Sequence, residues 1–164
     1  MKTLLWLDDI RDPFKDDWLV FSPITPDKVV WVKKYHEFVD WIIENGLPDA
    51  ICFDHDLGME VALEARANGM SKRKSRTLKK EEKTGYDCAK WLVEYCMDNN
   101  KPLPLYNIQS ANPVGKDNIN SLLKNFINSS INLNVIFLKM IKSFGIIFEK
   151  DVSKLIYAKY VKRK

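Results

Sequence analysis

Two short apolar runs in this chain end in carboxylates. Leu4-Leu5-Trp6-Leu7 leads into Asp8-Asp9, and Ala50-Ile51-Cys52-Phe53 leads into Asp54-His55-Asp56-Leu57-Gly58. Apolar runs of this length, bounded by turn residues, read as strands buried on both faces. In open α/β sheets, ligands bind outside the carboxyl ends of the strands. If the two strands are parallel neighbours, Asp8, Asp9, Asp54 and Asp56 meet at one edge. Like charges crowded in this way are unfavourable unless a cation or shared protons offset them. An all-oxygen donor set suits Mg²⁺ or Mn²⁺. The competing reading is structural: Asp8 or Asp9 caps a loop and Asp56 closes an Asx-turn.

Other side chains with chemistry lie close to these runs. His55, flanked by two carboxylates, is a candidate general acid or base, with a backbone-bonded imidazole as the alternative. Ser110 and the loop Ala111-Asn112-Pro113-Val114-Gly115 precede a helix, so the amides of Gly115, Lys116 and Asp117 are candidates to meet an anion. Lys116 adds a charge there, and Asn112 either orients a phosphate or caps the turn. Arg11 either reaches a phosphate across the pocket or pairs with Asp12. Ser110 has no evident base in sequence to make it a covalent nucleophile. His36 opens a helix and reads as surface.

The elements that must position these residues alternate strand and helix. Thr3 to Leu7 is the first strand. Asp8 to Asp27 contains Pro13, Pro23 and Pro26 and reads as mostly loop, with one turn near Asp12-Pro13 and an edge segment at Trp18 to Phe21. Val29 to Val32 is the second strand, Tyr35 to Glu44 a helix stopped by Asn45-Gly46, and residues 50 to 54 the third strand. Met59 to Ala67 suits a short helix. Ser71 to Lys83 is strongly basic with little apolar periodicity, which predicts an exposed loop spanning about residues 69–84. Thr84-Gly85 opens a helix from Tyr86 to Met97. Leu105 to Gln109 is the fourth strand, and a helix comes next, from about Lys116 to Phe126. The alternation predicts a mostly parallel sheet of order 2-1-3-4 with right-handed crossovers, a truncated flavodoxin-like three-layer α/β sandwich. Residues 1–126 form that domain. Residues 127–164, rich in Ile, Asn, Phe and Lys, form a C-terminal extension suited to amphipathic helices or a strand such as Gly145 to Phe148.

Composition bounds the class. The chain has 164 residues, 46% of them hydrophobic and 29% charged, which suits one globular domain with an appendage. The net charge of +4 permits an anionic partner without requiring one. Cys52, Cys88 and Cys96 lack metal-type spacing and read as free buried thiols, which points to a reducing compartment. No leader precedes Leu4 and no apolar stretch is long enough to span a bilayer, so a cytoplasmic protein is expected.

The motifs resemble those of a known group. Leu-Trp-Leu-Asp8-Asp9, Phe53-Asp54 and Ser110-Ala111 are similar to the acidic pair, the phosphoacceptor strand and the Thr/Ser-Ala of response-regulator receiver domains. Two receiver features are missing: the long first helix is replaced by a proline-broken span, and no fifth strand carries a Lys-Pro. LWLDDIRDP, DHDLG, GYDCAKWL and SANPVGKDNI together resemble a narrower family, the cyclic-phosphate processing receiver domain of phages and bacteria, over about residues 3 to 126. That family usually has a histidine where this chain has Gln109.

The resemblance implies a receiver-like fold, an Mg²⁺ or Mn²⁺ site at Asp8, Asp9 and Asp54, to which the residue pattern adds Asp56, and hydrolysis of a cyclic phosphate or RNA end during RNA repair. Asp54, His55 and Ser110 would be catalytic, and Arg11, Ser110, Asn112, Gly115 and Lys116 would hold phosphate. The partner would be a phosphorylated small molecule or an RNA end, with residues 72–83 touching nucleic-acid backbone; in a phage-encoded protein the compartment would be the host cytoplasm. The alternative is a non-catalytic module that binds a metal or phosphorylated ligand. A phosphorelay receiver is disfavoured by the absent lysine.

Overall fold

A computed structural model describes residues 1–143. Four strands, β1 (Thr3–Leu7), β2 (Lys28–Val32), β3 (Ala50–Phe53) and β4 (Leu105–Ile108), form one parallel sheet of order β2-β1-β3-β4. This is the expected order and a receiver-like α/β fold. The helices are α1 (Tyr35–Asn45), α2 (Met59–Ala67), α3 (Lys72–Glu81), α4 (Gly85–Asp98) and α5 (Pro113–Ser143). The chain divides into two units, Met1–Leu122 and Leu123–Lys164. The first carries the whole sheet and the candidate site. The described part of the second continues α5, which is longer than the predicted 116–126 helix. The strand considered at 145–148 lies outside the described residues.

The central strands β1 and β3 bury both faces, as their apolar runs require. Leu4, Leu5, Trp6, Leu7, Ile51, Cys52 and Phe53 are all fully buried. Each fully buried large apolar side chain contributes about 1.5–3 kcal/mol, so these strands are firm anchors for the loops that leave their carboxyl ends. Phe53 packs on Phe38 of α1 at 5.9 Å between rings, and Phe38 meets Trp91 of α4 edge-on. Strand alternation puts Ile51, Leu5 and Leu7 on that same helix-covered face.

The opposite face holds Leu4, Trp6, Ala50 and Cys52, with Trp18 and Ile24 packed on them. A receiver would place a helix after β1; here the connection 8–27 covers this face instead. It is loop apart from one 3-10 turn at Trp18–Phe21, which replaces the expected edge segment. The predicted turn at Asp12 is present, with Lys15 N donating to Asp12 O at 3.1 Å. The connection is fastened across the sheet by side chains. Asn107 Nδ2 of β4 donates to Phe21 O at 2.7 Å, and Trp6 Nε1 donates to Arg11 O at 2.9 Å.

The basic run predicted as a loop is instead helix α3. Lysine, arginine, leucine and glutamate are good helix formers whether or not they are amphipathic. Ser71 accepts from Lys74 N as the cap, and the buried Ser75 hydroxyl takes a hydrogen bond from Arg66 Nε of α2 at 3.0 Å. The three cysteines are free and buried, as expected. Among the described residues no helix is long and apolar enough to cross a membrane.

Candidate functional site

Sheet register brings the strand ends level. Leu7 pairs with Val32 and Phe53, and Phe53 pairs with Ile108. The ladder then runs one residue further: Asp54 N donates to Leu7 O at 2.8 Å and Gln109 N to Phe53 O at 3.0 Å. Asp8, Asp54 and Gln109 therefore start from one edge, fixed by backbone bonds rather than by their own side chains.

Asp8, Asp9 and Asp54 gather there, each offering a carboxylate oxygen within 4.8 Å of the others, and all three are buried. Burial raises the Asp8 carboxyl above its ordinary range; hydrogen bonds from the Arg11 and Ile10 amides oppose the rise and the charge of Asp54 adds to it. Burial likewise raises Asp9, opposed by the amides of Glu60 and Met59. Asp9 Oδ2 accepts from Glu60 N at 2.9 Å in the first turn of α2, where the helix dipole favours an anion. Glu60 in turn pairs with Lys33, at the end of β2. Among the described residues, Asp9 Oδ1 is buried with no hydrogen-bond partner. A compact all-oxygen set with one unpartnered buried carboxylate oxygen fits a hard divalent cation.

Arg11 is already inside this cluster. Its Nε lies 2.7 Å from Asp8 Oδ2 and its Nη2 lies 2.8 Å from Asp54 Oδ1. Its Nη1 donates to Gln109 O at 2.7 Å, and its guanidinium stacks over Trp18 at 5.6 Å. The pairing with Asp12 considered from sequence does not form; Lys15 pairs with Asp12 instead.

A second group lies further along. Asp56, expected among the metal ligands, stands apart from the buried three. Its Oδ1 is 3.1 Å from His55 Nδ1, and Asn112 Nδ2 donates to both its oxygens at 3.4 Å. The His55 ring lies against Gly115, where an added Cβ would come within 2.3 Å of the ring. Asn112 also caps α5: its Oδ1 accepts from Gly115 N at 3.0 Å and its backbone O from Lys116 N at 2.9 Å. The amides considered for anion binding at Gly115 and Lys116 are thus engaged by the cap, while Lys116 itself is exposed. Ser110 accepts from Asn112 N at 3.2 Å, which shapes this turn. His36 is exposed, as expected.

The family model for the cyclic-phosphate processing receiver domain matches residues 3–125. The chain belongs to this family. No curated protein and no solved structure matches it. Receiver-like domains bind Mg²⁺ through acidic residues, and the buried Asp8, Asp9 and Asp54 are the residues here that could hold such an ion. Gln109, where the resemblance leads one to expect histidine, is buried beneath the cluster. Its Nε2 donates to Leu7 O at 3.3 Å and, among the described residues, its Oε1 has no hydrogen-bond partner.

Sequence reasoning missed two residues that hold the strand ends in this cyclic-phosphate processing receiver domain. Trp31 donates from Nε1 to Asp8 O at 2.6 Å, and the Gly85 amide donates to His55 O at 2.9 Å. A Cβ at Gly85 would lie 1.8 Å from Asp54 O, so only glycine lets α4 approach the end of β3 this closely. The GYDCAKWL motif carried that signal, since a glycine at the first position of a helix forgoes helix stability for some packing reason.

Proposed function

We propose that this protein is a metal-dependent phosphoesterase acting on a cyclic phosphate, free or at an RNA end. The observation that supports this most is the buried Asp8, Asp9 and Asp54 group, with Asp9 Oδ1 unpartnered among the described residues and Asp54 immediately preceding His55 in the chain. Mg²⁺ or Mn²⁺ held by these residues would polarise a phosphoryl oxygen. His55, its Nδ1 engaged by Asp56, handles the proton at Nε2: it takes one from the attacking water and returns it to the oxygen that leaves phosphorus. Asp54 belongs to the ion's ligand set, and Ser110, Asn112, Lys116 and Arg11 orient the phosphate. The exposed residues Lys72, Arg73 and Lys74 of α3 offer contacts for an RNA backbone. RNA-end repair in the cytoplasm, of a host cell for a phage-borne protein, is the setting this chemistry suits.

A second reading, a binding module without turnover, draws on two observations: Gln109 in place of a histidine, and Arg11 paired with both Asp8 and Asp54. A hydrolysis assay separates them, using 2′,3′-cyclic nucleotides and cyclic-phosphate RNA ends with Mg²⁺ or Mn²⁺. The phosphoesterase reading expects turnover in the wild type, lost in Asp54→Asn and reduced in His55→Gln. Turnover in Gln109→His alone would mean a binding module, and no turnover in either protein would overturn the phosphoesterase reading.

A further inference from the structure

The Arg11 side chain bridges three acceptors on three different segments: Asp8 Oδ2 after β1, Asp54 Oδ1 after β3 and the Gln109 carbonyl after β4. Its backbone is fixed separately. The Arg11 amide donates to Asp8 Oδ1 at 2.8 Å, and its carbonyl accepts from Trp6 Nε1. The guanidinium can therefore leave the cluster while the chain stays in place.

The oxygens at the site are not equally available. Among the described residues Asp9 Oδ1 has no partner, whereas both oxygens of Asp8 are engaged. Its Oδ1 takes the amides of Ile10 and Arg11, and its Oδ2 faces Arg11 Nε. A divalent ion that uses Asp8 together with Asp9 and Asp54 would bind Oδ2 directly beside the guanidinium. Two cations sharing one buried carboxylate repel where solvent screens poorly.

We propose that Arg11 is a resident counter-ion which holds the acidic cluster together without metal, and that a divalent ion displaces it, freeing the guanidinium to bind a phosphate. The displaced group remains tethered beside the site and supplies a planar pair of donors matched to phosphate oxygens. Metal binding thus creates the anion site, and the order of binding is metal first. This rests on the proposed metal site and adds the competition for it.

The test uses Mg²⁺ alone, which does not quench fluorescence, with the full chain. Calorimetry gives Mg²⁺ affinity for the wild type, Arg11→Met and Arg11→Lys. Arg11→Met is expected to bind Mg²⁺ at least tenfold more tightly. Arg11→Lys, which keeps a cation but cannot reach three acceptors at once, is expected to fall between and serves if the methionine variant does not fold. In the wild type, Mg²⁺ should change tryptophan emission as the guanidinium leaves Trp18, and Trp18→Phe should abolish that change. Equal or weaker Mg²⁺ binding in the Arg11 variants, or wild-type binding with no Trp18 signal, would overturn the competition while leaving the metal site intact. No Mg²⁺ binding in any of these proteins would overturn the metal site itself and the inference with it.

Discussion

At the end of β1, Asp8 and Asp9 are neighbours in sequence and both are buried in one cluster. At the end of β3, Asp54 joins them, while Asp56, two residues on, has a side chain 42% exposed beside His55 and Asn112. Strand alternation would do the reverse, grouping 54 with 56 and separating 8 from 9. It does not apply here because both strands have ended, at Leu7 and Phe53. Past those points local turns take over. Asp8 Oδ1 gathers the amides of Ile10 and Arg11, which curls the chain and lets Asp9 turn in towards α2. After Asp54, Leu57 N closes on His55 O and carries Asp56 outward. Side-chain spacing at a strand end therefore says which residues are close, and the first turn decides which of them share an environment.

The sharpest way to break this contrast is to neutralise one acid on each side of it. Asp54→Asn should lose Mg²⁺ binding altogether in a calorimetric titration, whereas Asp56→Asn should keep it and alter the surroundings of His55 and Asn112. Equal losses would mean that Asp56 is a ligand after all and that the two carboxylates share one site.

The β3 end also leans on two glycines that the β1 end lacks, and these should differ in cost. Gly85→Ala drives a Cβ into the Asp54 carbonyl, a backbone atom that cannot step aside. Overpacking of that kind should cost about 3 kcal/mol in urea unfolding, near the top of its usual range. Gly115→Ala meets the His55 ring, which can rotate, so about 1 kcal/mol is expected. Its signature should be a shift of the His55 ring resonances in NMR. A larger loss at Gly115 than at Gly85 would show that the histidine, not the strand end, is the rigid partner.

The smallest effect concerns how α4 is held under β3. Thr84 and Asp87 form a capping box, and Lys90 pairs with Asp87 at 2.9 Å. Burial pushes the Asp87 carboxyl up, but hydrogen bonds from Lys90 and Thr84 outweigh it and hold the group below its ordinary 3.8. A carboxyl lowered in the folded state adds stability above pH 3.8, and that stability is lost as pH falls through the lower folded value. Asp87→Asn should therefore flatten the acid limb of a stability–pH curve below about pH 4. Thr84→Ala should cost about 1 kcal/mol at neutral pH.

Much of this architecture was legible in the sequence. Short apolar runs bounded by turn residues suit buried strands, so β1 and β3, their neighbours and the 2-1-3-4 order came from pattern and strand–helix alternation. The acidic cluster was legible for the same reason, since parallel strands of matched register must end together. Helix α3 was not: among the described residues it is held by the Ser71 cap and a hydrogen bond from Arg66 to Ser75, neither of which leaves an apolar stripe. The place of Arg11 was hidden too. It depends on where the proline-broken connection lies across the sheet, which is set by distant partners such as Trp6 and Asn107. Gly85 was visible only as a helix start, since its close approach to Asp54 is a tertiary fact.

The connection 8–27 has a consequence for how the molecule keeps time. No strand has to break for it to lift, so it can open while the sheet persists, at the cost of the Asn107 and Arg11 bonds that fasten it. Beneath it lies Cys52, whose Sγ donates to Phe21 O at 3.5 Å and whose thiol burial pushes up to about 12. While the cover is on, that sulfur is almost wholly protonated and inert. Each lifting exposes it and restores its nucleophilicity in one event. The rate at which a thiol reagent captures Cys52 is then a clock for the breathing of the segment that carries Arg11.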